Sequence, residues 1–317
     1  MFPLSQKRFF NLIILLLLTS FVIHCKKEVN ISPQIQIKKD SLATVKKDSL
    51  IQDSIKKNTV IYSSFIFPKN KRDSAMGVFN KEFSKEEQSV ILAINRLDMK
   101  NKWRADTLMI PDKIDETLMA YSPFPRSLTQ LKDVEKIVFF SYPIQAYALY
   151  EKGNLVKWGP TSMGHKTAQT KRGLMFTNWK KELAISTVDS DWKLPYNFNV
   201  HNTLGIGWHQ YDLPGYPASH SCLRLSLDDA KYLYNWADQW ILNKGGATVK
   251  ANGTPVIVFG DYKWGGKKPW KNLSEDGKSN NISIEEMTKV IEPNLAKILE
   301  EQAKRAEVTQ VVSTPAA

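Results

Sequence analysis

The chain has 317 residues, 42% of them hydrophobic and 11% aromatic, which is enough to fill one or two cores and excludes disorder throughout. A formal net charge of +12 would suit nucleic acid, but the N-terminus points to export, so no nucleic-acid partner is expected. Only two cysteines are present, Cys25 and Cys222.

Lys7 and Arg8 precede an apolar run from Leu12 to Ile23, which is short for a membrane span and right for the apolar core of a signal peptide over residues 1–24. Cys25, followed by Lys26 and Lys27, stands where a bacterial lipoprotein signal places its lipidated cysteine. Val22 fits that pattern, and His24 is bulkier than its usual residue. The alternative is an uncleaved anchor helix ending at Cys25. Either way the chain is expected in the cell envelope, tethered to the membrane through an N-terminal lipid or anchor and facing the periplasm. With Cys25 lipidated, Cys222 is left as a free thiol in an oxidising compartment, which favours a nucleophile over a bystander.

Residues 25–59 read as a charged flexible linker. They repeat Lys-Lys-Asp-Ser-Leu at Lys38–Leu42 and Lys46–Leu50, and eight lysines face four acids between Lys26 and Lys57. Residues 60–130 form a small α+β region. Its legible parts are an apolar helical pattern from Ser89 to Leu97 and a strand from Asp106 closed by Pro111. This pair resembles the second half of a LysM peptidoglycan-binding module, and a plain helix-and-strand packing unit gives the same pattern.

From Lys136 the texture turns to β, with strands expected at Ile137–Phe140, Ile144–Tyr150 and Leu155–Trp158, then a pair at Tyr196–His201 and Leu204–His209. A helix comes next, capped by Ser226 with Asp229 and carrying Ala230, Leu233, Tyr234, Ala237, Trp240 and Ile241 on one face, with Gly245-Gly246 as its stop. Thr254–Phe259 closes a domain expected over residues 136–260. Residues 261–317 read as a polar tail with one amphipathic helix from about Ile284 to Arg305, and composition does not place that tail in the domain.

The chemistry is concentrated between His209 and Arg224, where His209, His220 and Cys222 lie within fourteen residues. A cysteine attacks carbonyl carbon as a thiolate, so it needs an imidazole to take its proton and later to protonate a leaving amine. The Gly215-Tyr216-Pro217 turn can bring the two ends together.

His209 followed by Ser219-His220-Ser221-Cys222-Leu223-Arg224 resembles the catalytic motif of the L,D-transpeptidase (YkuD) family. Lys193–Tyr196, Leu213–Ala218, Thr170–Gly173 and Gly253–Val258 resemble flanking motifs of that family, in its order. The resemblance implies a mainly β fold, a β-sandwich with one prominent α-helix, over roughly Lys136 to Gly260. It implies Cys222 as nucleophile on the carbonyl between the L-centre of diaminopimelate and D-alanine in a peptidoglycan tetrapeptide stem, and His209 as general base and then acid. Backbone N–H groups at Ser221 and Cys222 would form the oxyanion hole, while Ser219, His220 and Arg224 would line the substrate cleft. No metal or organic cofactor is implied, and the partner is the peptidoglycan stem peptide. An amine acceptor gives a cross-link, and water gives a carboxypeptidase.

Two departures stand out: Ser221 replaces the family's glycine, with a Cβ that disfavours positive φ, and the gap of nine residues before Ser219 is compact. Ser219 can equally bond its own backbone as a turn residue, and Arg224 can pair with Asp228 or Asp229. Trp179, Trp192, Tyr196, Trp208, Tyr211 and Tyr216 are expected mainly as core or rim. Ser190–Lys193 and Ser54–Lys57 match Ser-x-x-Lys without a Lys-Thr-Gly partner. A zinc peptidase using His201, His209, His220 and Cys222 lacks a His-Glu-x-x-His. A non-catalytic peptidoglycan-binding envelope protein is the remaining alternative.

Overall fold

The computed structural model describes residues 60–313 except Thr187, with side chains described up to Gln310. The expected signal peptide, Cys25 and the linker lie outside the described residues.

Strand β1 (Tyr62–Ile66) pairs antiparallel with β2 (Thr107–Pro111), and helices α1 (Arg72–Glu82) and α2 (Lys85–Ile94) run between them. The helix and strand expected from the sequence are α2 and β2. Ser84 fixes the start of α2, because its hydroxyl accepts the Glu87 N–H while the Glu87 carboxylate accepts the Ser84 N–H. Phe67, Phe79, Ile91, Leu92, Leu97, Leu108 and Ile110 form a small core under this unit. Arg96 bolts the unit to the central sheets: its Nε donates to the Ile144 carbonyl, and its guanidinium lies between the Trp158 and Trp270 rings.

Two sheets make the centre. One runs β5 (Asn154–Pro160), β4 (Ala146–Glu151), β3 (Ile137–Ser141), β13 (Pro255–Phe259), β6 (Gly173–Phe176), with β3 and β13 parallel. The other runs β10 (Leu223–Leu225), β9 (Ile206–Gln210), β8 (Lys193–His201), β7 (Lys180–Ile185), with β9 and β10 parallel. Val138, Phe140, Tyr147 and Leu149 of the first sheet pack on Phe198, Val200, Trp208, Leu223 and Leu225 of the second, with Phe140 stacked on Trp208. The opposite face of the first sheet is covered too, by Val90, Ile94 and Met109 of the N-terminal unit and by the C-terminal helix. Burial on both faces is why Ile137–Phe140 reads as an unbroken apolar run and not as an alternation. The mainly β sandwich is therefore the observed architecture.

Helix α3 (Leu227–Trp236) starts as expected, with the Ser226 hydroxyl accepting the Asp229 N–H, but it ends earlier. Ala237 is extended, and the Asp238 N–H is taken by Thr254 Oγ1 while the Asp238 carbonyl accepts from Thr177 Oγ1. Those tertiary bonds outcompete further helix, so Trp240 and Ile241 leave the expected face, and β11 (Ile241–Leu242) pairs with β12 (Val249–Ala251). Helix α4 (Ile284–Ser313) continues beyond Arg305 through Pro293, and its Met287, Ile291 and Ile298 are buried in the same cluster as Phe139 and Tyr150.

Candidate active site

Period-two alternation assigns the second sheet its two jobs. Phe198 and Val200 on β8, Ile206 and Trp208 on β9, and Leu223 and Leu225 on β10 enter the core. Their neighbours Asn197, Asn199, His209, Cys222 and Arg224 line a cleft of about 330 Å³ on the other face. In the parallel β9–β10 pair Leu223 sits beside Trp208 and Arg224 beside His209, which brings the two ends of the His209–Arg224 segment onto adjacent strands. At Gly207 a Cβ would lie 2.7 Å from the Phe198 carbonyl oxygen, so only glycine allows β8 and β9 to approach this closely behind the cysteine.

His209 is 3% exposed, and its Nδ1 lies 2.9 Å from the Gln210 carbonyl oxygen. A carbonyl only accepts, so Nδ1 carries the proton and the Nε2 lone pair is left as the base. Burial lowers the His209 pKa to about 4, with Arg224 acting in the same direction and the Gln210 bond against it. Cys222 is half-buried and free, and burial raises its pKa, opposed by the Gly207 backbone N–H and by Arg224. The pair therefore rests as thiol and neutral imidazole, and the proton moves only when the sulfur attacks.

Ser221 keeps a left-handed backbone, with φ of +78°. The glycine-like turn survives the substitution, at a cost of about 1 kcal/mol for its Cβ. The expected distortion is resisted by hydrogen bonds on both sides. Ser219 N–H donates to the Met163 carbonyl, its carbonyl accepts the His165 N–H, and its Oγ donates to the Cys222 carbonyl at 2.5 Å. Ser162 Oγ accepts the Ala218 N–H and donates to the Tyr216 carbonyl.

His220 stands on the cleft wall, edge-on to His165 at 4.7 Å and against Trp192 at 5.1 Å. Arg224 is not paired with Asp228 or Asp229. Its guanidinium lies 4.4 Å from the centre of the Tyr211 ring, and Asp229 pairs with Lys157 instead. Among the aromatics, Trp179, Trp192 and Tyr211 line the cleft, Trp208 is core, and Tyr216 is 40% exposed. His201 is engaged by Lys171 and the Leu204 N–H, and among the described residues no three of His, Cys, Asp and Glu converge as a metal-binding group. The sequence reading missed the Gln210 carbonyl, Ser162, and Asn197 with Asn199. Only the last two left a trace, as polar residues spaced by two and alternating with the apolar Phe198 and Val200.

Residues 135–258 match the family model of the L,D-transpeptidase catalytic domain, YkuD. Among solved structures, an L,D-transpeptidase from Stackebrandtia nassauensis is 25% identical over 40% of this chain and 56% of that one, with a TM-score of 0.33. An L,D-transpeptidase from Xylanimonas cellulosilytica is 24% identical over 44% of this chain and 65% of that one, with a TM-score of 0.34. L,D-transpeptidase 1 of Mycobacterium tuberculosis is 20% identical over 39% and 62%, at 0.30. The chain thus spans 56% to 65% of the length of these structures. No curated protein matches it. The family match begins just before the strand that opens the central sheet and ends in the strand that closes it, so the part of the chain that is similar to the YkuD family of L,D-transpeptidase catalytic domains, residues 135–258, carries both central sheets and the cleft.

Proposed function

We propose that the protein is a cysteine-dependent peptidoglycan L,D-transpeptidase working through a thioester on Cys222. The observation that carries this reading is the His209 tautomer: Nδ1–H is pinned by the Gln210 carbonyl, and Nε2 is left to serve a thiol in the same cleft, just ahead of the neighbouring strand β10. As Cys222 Sγ attacks the carbonyl before D-alanine in a tetrapeptide stem, His209 Nε2 takes the thiol proton. Backbone N–H groups of the Ser221–Cys222 turn hold the oxyanion, each worth about 3 kcal/mol. Imidazolium then protonates the leaving amine, D-alanine departs, and a thioester remains. An amine of a second stem attacks that thioester, His209 accepts its proton, and the cross-linked product leaves with the thiol restored. Water in place of the amine gives L,D-carboxypeptidase activity. Arg224, steadied over Tyr211, is suited to a substrate carboxylate, and His220 with Ser219 shapes the wall.

The proposal includes location: a lipoprotein-type signal over residues 1–24, lipid on Cys25, and a linker holding the domain away from the membrane. The LysM reading of residues 60–130 belongs to it as a wall-binding element. Incubating the soluble protein with tetrapeptide muropeptides tests the activity. Cross-linked dimers with released D-alanine are expected. D-Alanine without dimers would reduce the reading to a carboxypeptidase, and no D-alanine at all would remove it.

A further inference from the structure

The residues of β8 that face the cleft include two amides that the fold does not use. Asn197 and Asn199 are each 4% exposed, and both line the cleft that holds Cys222. Asn197 Nδ2 and Asn199 Oδ1 are buried without a hydrogen-bond partner. Native interiors pair nearly all such atoms, because a polar group taken from water and left unmade weakens the fold. Two stranded atoms on one strand face, beside a reactive thiol, mark a ligand that supplies what is missing.

The chemistry of that ligand follows from the atoms. One is a donor and the other an acceptor, two residues apart and so roughly 7 Å between Cα atoms. A carboxylate or phosphate accepts only and would leave Asn199 Oδ1 stranded, and an apolar group satisfies neither. Peptide groups carry both complements, a C=O for Asn197 Nδ2 and an N–H for Asn199 Oδ1. Distance selects which ones. Asn199 is registered against Gly207 on β9, and β10, with Cys222 immediately before it, lies one strand further on. Two strand spacings are about 10 Å, which an extended peptide covers in about three residues.

We propose that Asn197 and Asn199 bind the backbone of the donor stem about three residues from the carbonyl that Cys222 attacks, and that they thereby select a peptide donor of that length. The assignment rests on the transpeptidase reading of the cleft. A β-lactam of the carbapenem class is too short to reach both amides and the thiol at once, so it reports on Cys222 alone.

The test compares acylation efficiency for a tetrapeptide muropeptide and for a carbapenem in the wild type and in Asn197→Leu and Asn199→Leu, with thermal unfolding of each. The ratio of tetrapeptide to carbapenem efficiency is expected to fall at least tenfold in both variants, with midpoints equal to or above wild type, since leucine removes a stranded polar atom. A ratio unchanged in either variant overturns the proposal, as does a lowered midpoint with both substrates slowed alike, which marks the amides as structural. If a leucine variant does not fold, Asn199→Asp keeps its acceptor and should hold the ratio better than Asn197→Asp, which loses its donor. The reverse order contradicts the assignment. A wild type inert toward the tetrapeptide overturns the activity reading and this assignment with it, whereas an active wild type with an unchanged ratio in the variants overturns the amide pair alone.

Discussion

At the scale of single residues, the base role proposed for His209 makes a prediction about pH. Its pKa of about 4 in the folded chain means the imidazole stays a competent base far below the usual range of 6.5. Acylation by a carbapenem should therefore lose rate only as pH falls below about 5, and a midpoint near 6.5 in the rate profile would show that the ring is not buried as described. Stability carries the same signature. Above pH 6.5 the ring is neutral in both states, whereas between 6.5 and about 4 only the unfolded chain takes the proton. Stability is thus lost as pH drops through that window, by about 3 kcal/mol in total, and His209→Gln should flatten this part of the urea-denaturation profile.

Ser221 makes the second residue-scale prediction. Its φ of +78° is a conformation glycine adopts without strain. Ser221→Gly should raise the unfolding free energy by about 1 kcal/mol in chemical denaturation, and a loss of stability would mean that the serine side chain has a compensating role. The motif itself was legible in the sequence because His209 and Ser219–Arg224, with their flanking segments, resemble a family motif in its order. The Gln210 carbonyl was not, since a backbone acceptor has no residue type to betray it, and the strain at Ser221 became measurable only once its φ was known.

At the scale of elements, the segment between His209 and Ser219 is held from outside the catalytic domain. Asp98 Oδ2 accepts the Leu213 N–H at 2.7 Å, its own N–H donates to the Leu213 carbonyl, and Lys100 pairs with Asp212. Leu97 forms a β-bridge with Pro214. The residues just after the second helix of the N-terminal unit therefore steady the loop that follows His209. Asp98→Ala should cost about 1–3 kcal/mol and slow acylation of Cys222, measured together by denaturation and stopped-flow mass spectrometry. Unchanged acylation would detach the N-terminal unit from the site. Sequence reading found α2 and β2 by their apolar pattern but not β1 or α1. In α1 only Phe79 is buried, so there is no apolar stripe to read. It also prolonged α3 to Gly245-Gly246, because hydrogen bonds between Asp238, Thr177 and Thr254 join segments distant in sequence and leave no local mark.

At the scale of the molecule, the central sheet is covered on both faces, and α4 supplies part of the second cover. Its amphipathic pattern was readable, but its partner was not, because periodicity gives a face and not an address. Ile291 is fully buried in that contact, so Ile291→Ala should lower stability by about 2–5 kcal/mol. A loss below about 1 kcal/mol in chemical denaturation would mean that the helix is not part of the core. Sheet, cover and clamp serve one end: they fix β9 and β10 side by side, so that His209 and Cys222 line one cleft. The most direct measurement is intact-mass spectrometry of the soluble protein with a carbapenem, run on the wild type, Cys222→Ala and His209→Gln. A single stoichiometric adduct in the wild type, none in Cys222→Ala and strongly slowed formation in His209→Gln are predicted. An adduct that survives Cys222→Ala, or no adduct in the folded wild type, would contradict the account.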